Sequence, residues 1–327
     1  MGPMSSLYPL RFEPLFQHYV WGGRRLATML GKPIGPEADY AESWEVVDHH
    51  DGQAVVAFGD QAGRSLGELV RDCGADLFGR DDPQPRFPLL FKFLDANRPL
   101  SVQVHPSDEQ AARLQPPDLG KTEAWVVIHA DAGSALWAGL RRGFDRHALE
   151  RELARDTAEL CLHRIEPRAG DCLFLPAGVV HALGEGIVIA EIQQASNTTF
   201  RLFDWNRVDA SGQSRELHIQ EALEVIDYEY GPVIPRTPQG TDRDFVERLV
   251  ECDKFVMDRW TFDRPGDAGG DDRFHIMAVL EGSIQVAGDP SDRPLSAGQT
   301  VLVPASVGTT SLRPAGRTVL LDMYLPR

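Results

Sequence analysis

The sequence predicts a mainly β protein, made of two strand-rich units with helical insertions, and three observations carry that prediction. The 30 glycines and 23 prolines are spread along the whole chain and cut it into short apolar runs of strand length. Segments with helical start signals are few. A spacing of glycine, proline and histidine or threonine in the first half returns in the second, as it would if one β unit occurred twice. With 327 residues the chain has room for both copies. The boundary is placed at residue 235, giving a longer unit over 1–235 and a shorter one over 236–327.

The elements follow in order. Ser65-Leu-Gly-Glu68 reads as a capping box, Ser65 at the N-cap and Glu68 three residues on, opening a helix through 66–74. Alternating or continuous apolar runs predict strands at 88–94 and 99–105. Ser107 caps a short helix over 108–114, and strands follow at 123–130 and 134–140. The segment 145–162 is highly charged with helical apolar spacing and predicts a helix. Strands are expected at 172–176, 179–183, 186–193 and 200–205, and a helix over 215–228. The second group of strands is 255–262, 274–280, 283–288, 300–304 and 318–325.

Composition narrows the function. Lys and Arg total 33 against 49 Asp and Glu, a net charge of −16, which argues against a nucleic-acid partner. No run of 18 apolar residues occurs, so no transmembrane helix is expected. The first 14 residues lack the basic and apolar regions of a secretory signal. Cys73, Cys161, Cys172 and Cys252 contain no CxxC pair and read as free thiols of a cytoplasmic protein.

The repeated spacing is Gly170, Pro176 and His181 in the first copy and Gly298, Pro304 and Thr309 in the second. Upstream, Thr122–Val126 is laid over Arg273–Met277, with the helical segment 145–162 as an insertion in the first copy. The second copy therefore has no histidine at the His181 position and is expected to lack metal ligands. Gly170-x5-Pro-x-Gly-x2-His181 places a strand, a tight turn and a returning strand that aims His181 inward, and it resembles the second sequence motif of cupins, jelly-roll barrels that commonly hold a metal. Two cupin-like jelly-roll units are thus expected.

Upstream polar residues complete the pattern. Ser101, Gln103 and His105 share one face of an alternating strand, Lys121 and Glu123 share another, and Lys92 interrupts an apolar strand. Such residues on hydrophobic strands are costly unless they face a hydrated cavity. Gln103, His105, Glu123 and His181 offer an amide oxygen, two imidazoles and a carboxylate, a set that suits Zn²⁺ and also fits Fe²⁺ or Mn²⁺. Lys92, Lys121 and Arg201 would make the pocket cationic within an acidic protein, which favours a phosphorylated or other anionic ligand.

The chain resembles the type I mannose-6-phosphate isomerases. The resemblance rests on FPLLFKFLDANRPLSVQVHPSDEQA (87–111), GKTEAW (120–125), GDCLFLPAGVVHALGEGIVIAEIQQ (170–194), NTTFRLFDWNR (197–207) and RELHIQEAL (215–223). It is dense from 87 to 226 and weak in the last hundred residues. It implies one zinc ion per chain on Gln103, His105, Glu123 and His181. It implies a catalytic Arg201, an acid/base at Glu191, and substrate positions at Lys92, Ser101 and Lys121. The substrate implied is a small sugar phosphate, mannose 6-phosphate interconverting with fructose 6-phosphate through a cis-enediol. The sequence departs from relatives at Ala195, Asn197 and Phe200.

On the residues alone, Glu191 is the first candidate for the base and Lys121 the second. Two other readings stay open: a cupin metalloenzyme acting on another sugar phosphate, and a non-catalytic sugar-phosphate-binding protein. Oligomeric state cannot be read from the sequence. Gly63-x-Ser65-x-Gly67 is explained by the helix cap rather than by a nucleophile elbow, because no apolar strand precedes it. His49-His50 reads as a polar turn, and His129, His147, His163 and His275 as structural or exposed.

Overall fold

The structure is a computed structural model that describes residues 7–208 and 212–327. Two large antiparallel sheets organise it. In the first, the strands lie in the order Cys172–Leu175, Glu123–Ala130, Ile187–Gln194, Leu89–Ala96, Tyr40–Val46 and Leu15–Gly23. A five-stranded sheet faces it, ordered Leu162–Ile165, Leu136–Leu140, His181–Leu183, Val102–Val104 and Phe200–Phe203. The second large sheet runs Thr300–Val303, His275–Glu281, Thr318–Tyr324, Val256–Phe262, Val246–Glu251 and Gln239–Gly240. Its facing sheet is Leu295–Ser296, Ser283–Val286, Thr309–Pro314 and Gly266–Gly269.

The two large sheets share a topology. With each sheet's own strands counted in chain order, both read fifth, fourth, sixth, third, second, first from edge to edge. Period-two alternation then decides what each face does. In the first sheet Phe91, Phe93, Ala124, Val126, Val188, Ala190 and Ile192 point away from the facing sheet. In the second, Met257, Phe274, Ile276, Ala278, Leu302, Leu321 and Met323 do the same. All of these residues belong to one continuous hydrophobic core, so the two large sheets pack back to back. The helix Leu66–Phe78 closes that core, and Phe78, Phe87 and Phe274 meet with ring centroids 4.7–5.9 Å apart. The opposite faces look into the two smaller cores, one per sheet pair.

Most expected elements occur with shifted ends. The capping box is present: Ser65 Oγ accepts from Glu68 N, and Glu68 carboxylate accepts from Ser65 N at 2.8 Å. The helix expected over 145–162 stops earlier, spanning Arg146–Leu153 from its Asp145 cap. Asp156 takes a left-handed φ of 59°, which ends the helix, and the rest forms a 3-10 turn, Ala158–Cys161, and an edge strand. The helix expected over 215–228 is confined to Ile219–Val225, because His218 N is bonded to Arg201 O at 2.7 Å and holds the preceding residues against a strand. The overlay of Thr122–Val126 on Arg273–Met277 is one residue out of register. Leu175, before Pro176, pairs with Glu123, and Val303, before Pro304, pairs with His275. Glu123 therefore corresponds to His275, and a shift of one residue exchanges the faces of the strand. All four cysteines are free thiols.

Phe274 is fully buried where the large sheets meet. Phe274→Ala is expected to destabilise the protein by ~3–5 kcal/mol, read as a lower urea midpoint with an unchanged denaturant slope.

Candidate metal centre and substrate cleft

The site forms where two rows of residues face each other across the first sheet pair. On the large sheet, register sets Glu123 opposite Gln193, Trp125 opposite Glu191, and Glu191 opposite Lys92. On the facing sheet, His181 lies opposite Gln103, and Gln103 opposite Arg201. The strand bearing Gln103 is only Val102–Val104, shorter than expected, yet the flanking Ser101 and His105 are buried within the site. Gly178 makes the turn before His181. Its φ of 88° suits glycine, and its N–H bonds His105 O at 2.8 Å, joining the two histidine segments.

Ligating atoms of His105, Glu123 and His181 all lie within 4.8 Å of one another. His105 Nε2 is 3.5 Å from Glu123 Oε2, and His181 Nε2 is 3.3 Å from Glu123 Oε1. Each ring is oriented through its other nitrogen. His105 Nδ1 donates to Thr198 O at 3.0 Å and His181 Nδ1 donates to Val179 O at 2.9 Å, which leaves both Nε2 lone pairs aimed at the centre. Burial, with Lys121 and His181 nearby, holds the His105 pKa well below its usual value. Burial likewise pushes His181 down to about 4. Both rings are thus in the neutral form that ligates metals. Gln103 Nε2 lies 3.4 Å from His181 Nε2, and a flip of the amide turns its oxygen to the same point.

Glu123 is 1% exposed, and neither of its oxygens accepts a hydrogen bond. A carboxylate in that state is costly unless a cation compensates it. The Lys121 ammonium does so in part, at 2.8 Å from Glu123 Oε2 and 3.1 Å from His105 Nε2. The donor set and the unbonded carboxylate therefore fit a divalent cation held by Glu123, His105 and His181, with Gln103 as the fourth ligand.

A cleft of about 240 Å³ adjoins this centre, lined among others by Lys92, Ser101, Gln103, Lys121, Glu191 and Arg201. A larger concavity of about 660 Å³ flanks residues 230–237 but includes none of these groups. Glu191 Oε1 is buried without a hydrogen bond, 3.4 Å from Lys92 Nζ and 3.7 Å from Lys121 Nζ. Burial and the Glu123 charge push its pKa up to about 7, against the pull of the two lysines. Burial opposes the charge of Lys92, but Glu191 and Glu42 outweigh it and raise its pKa. Arg201 reaches the cleft wall, yet its Nη1 bonds Glu216 O at 2.7 Å and its buried Nε has no hydrogen-bond partner. The structure thus brings Gln103, His105, Glu123 and His181 to one centre. It sets Lys92, Ser101, Lys121 and Glu191 around that centre and leaves Arg201 turned partly away.

Sequence reasoning missed three contributors. Glu42 accepts from Lys92 at 3.1 Å and from Trp44 Nε1 at 2.6 Å; its signal was a charged residue in the strand Tyr40–Val46, which also carries Ser43 and Glu45. Arg215 lines the cleft and is paired with Asp204. Asp118 Oδ2 accepts from Ser196 Oγ at 2.8 Å and Thr198 Oγ1 at 2.9 Å, and so fixes the carbonyl that orients His105. No local pattern around Asp118 reveals that role. One histidine reading needs correction. His49 is buried, 3.6 Å from Asp118, and only His50 fits the exposed polar turn. His275 is buried between Asp322 and Asp271, in keeping with a structural histidine.

The family model for the phosphomannose isomerase type I catalytic domain matches residues 10–123. Mannose-6-phosphate isomerase ManA of Bacillus subtilis is 35% identical over 93% of this chain and 95% of its own length. The mannose-6-phosphate isomerase of Streptococcus mutans is 33% identical over 91% of this chain and 93% of its own. Among solved structures, the mannose 6-phosphate isomerase from Bacillus subtilis superposes with a TM-score of 0.88 at 28% identity, over 98% of this chain and all of that one. A putative mannosephosphate isomerase from Archaeoglobus fulgidus, 21% identical, shares the fold with a TM-score of 0.80 over 99% of this chain.

Asp118→Ala removes the acceptor that holds Ser196 and Thr198. It is expected to weaken divalent-metal affinity by about 10–100-fold while the far-ultraviolet circular dichroism stays native. A metal-competition titration reads the change, and unaltered affinity would remove Asp118 from the site.

Proposed function

The chain belongs to the type I mannose-6-phosphate isomerases, a cupin-fold family, and from that premise we propose how its cleft interconverts mannose 6-phosphate and fructose 6-phosphate. The single observation that carries the reading is the convergence of His105, Glu123 and His181 within 4.8 Å around a buried carboxylate that accepts no hydrogen bond. One zinc ion is proposed on these three and Gln103, since the reaction needs no redox change and the donor set suits zinc. When bound, such an ion supplies Lewis-acid polarisation of the sugar's carbonyl and hydroxyl oxygens.

The chain's own residues supply the rest. Isomerisation moves a proton between C1 and C2 and develops negative charge on oxygen. Glu191, with a pKa near neutrality and an oxygen free of hydrogen bonds, can both accept that proton and return it. Lys92, held between Glu42 and Glu191, keeps that balance by opposing the burial of two carboxylates. Lys121, beside both Glu123 and Glu191, is the alternative proton carrier and a donor to the developing oxyanion. Arg201, once turned inward from the cleft wall, would offer its unpartnered Nε to the charge of the enediolate or of the phosphate, with Ser101 as a neutral donor. The cationic lining is the observation that favours a sugar phosphate over an unphosphorylated sugar at this site. A cytoplasmic location is proposed with it; none of the described helices is long and apolar enough to cross a membrane.

His181→Ala is expected to lose bound metal and isomerase activity together, measured as metal content and coupled turnover on one sample. Stoichiometric metal in that variant would refute the ligand assignment. Arg201→Ala is expected to keep the metal but lose ~10²–10³-fold in kcat/KM; near-normal turnover would end its proposed role. Chelation is expected to abolish isomerisation and added zinc to restore it, so turnover by verified metal-free protein would contradict the mechanism.

A further inference from the structure

The second sheet pair carries a polar cup at the positions that build the first one. The shared sheet order and register make the correspondence residue by residue. Leu175 pairs with Glu123 and Val303 with His275, so His275 stands where Glu123 does. Two residues on, Trp125 pairs with Glu191 and Met277 pairs with Asp322, so Asp322 stands for Glu191. Glu191 pairs with Lys92 and Asp322 pairs with Asp258, so Asp258 stands for Lys92. On the facing sheets, His181 pairs with Gln103 and Thr309 with Gly269. Asp271 lies two residues beyond Gly269, as His105 lies two beyond Gln103.

His275, Asp322, Asp258, Gly269 and Asp271 border a cavity of about 480 Å³, twice the volume of the first cleft. His275 Nδ1 is 2.8 Å from Asp322 Oδ1, and its Nε2 is 3.0 Å from Asp271 Oδ1. Asp258 accepts from Arg248 and, at 2.8 Å, from Tyr324 Oη. Asp258, Asp322, His275, Arg273 and Trp260 are all at least nine-tenths buried. A sheet pair that served only as a cover would be filled more cheaply by apolar side chains of the same volume, as the rest of this core is. Two of the walls also keep unused donors. Trp260 Nε1 is buried with no hydrogen-bond partner, and Arg273 Nε has only an ion-pair contact with Asp271 at 3.4 Å.

The chemistry of the cup selects its ligand. The first cleft presents lysines to an anion. Here five basic side chains are matched by five carboxylates, so no surplus charge remains for a phosphate. Both His275 nitrogens are engaged by different carboxylates, and among the described residues three converging metal donors occur only at His105/Glu123/His181 and His49/His50/Asp51. What remains is a dense array of paired donors and acceptors, which suits groups that donate and accept at once. We propose that this second cup binds a neutral polyhydroxylated molecule, an unphosphorylated hexose or hexitol, separately from the sugar phosphate in the first cleft. The inference stands on the register and the cavity and does not depend on the isomerase mechanism.

Isothermal titration of the metal-loaded, full-length protein with mannose, fructose and mannitol tests it, with mannose 6-phosphate saturating the first cleft. Saturable binding of at least one of the three, one per chain, is expected. His181→Ala should retain it, while Asp322→Asn and Asp258→Asn should each weaken it by about tenfold or more in proteins that still melt cooperatively. If either asparagine variant fails to fold, Arg273→Gln reads the same loss from the cavity wall. Absence of saturable binding in the unmodified protein would overturn the proposal. So would binding that mannose 6-phosphate displaces or that His181→Ala abolishes, because the ligand would then occupy the first cleft.

Discussion

The buried Glu123 carboxylate sets the terms for everything around it. With almost no exposure and no hydrogen bond to either oxygen, it is stable only where positive charge is close. The Lys121 ammonium answers that demand in part, while two neutral imidazoles, each locked by a backbone carbonyl, aim their lone pairs at the point where a cation would complete it. Burial first, and then this same charge, push the Glu191 carboxyl upward, so the carboxylate that fits a cation also bears on the protonation of its neighbour.

That arrangement is possible because the strands around it are antiparallel and their pairing sets the site residues directly opposite one another. Lys92, Glu191 and Trp125 form a row across three strands, and His181, Gln103 and Arg201 a row across the three that face them. Alternation sends every second residue of the large sheet into the cleft and the others into the core behind it. The polar lining is thus carried on a hydrophobic back, and its geometry is as rigid as the packing beneath it.

Much of this was legible in the sequence because the relevant signals were local. The Ser65 cap, the strand periods and the inward histidine after the Pro176–Gly178 turn each depend on a few neighbouring residues. Polar residues in apolar strands marked Lys92, Gln103 and Glu123 as cavity-facing, and the family resemblance added Glu191. What escaped depended on contacts distant in the chain. Asp118 acts through Ser196 and Thr198, 78 and 80 residues away, and nothing around it announces that. Helix ends were misjudged where one residue decided them, as the left-handed Asp156 does. The second unit's polar residues were overlooked because the overlay was displaced by one position, which put Phe274 rather than His275 against Glu123.

The back-to-back seam between the large sheets has a consequence for how this molecule can be divided. Neither half owns the layer of phenylalanines, methionines and aliphatic residues that joins them. Cutting the chain near residue 235 would leave each fragment with a greasy wall turned to water, a template for clumping rather than a stable module. Loss of cooperativity, more than loss of any active-site group, is then what limits engineering either half in isolation.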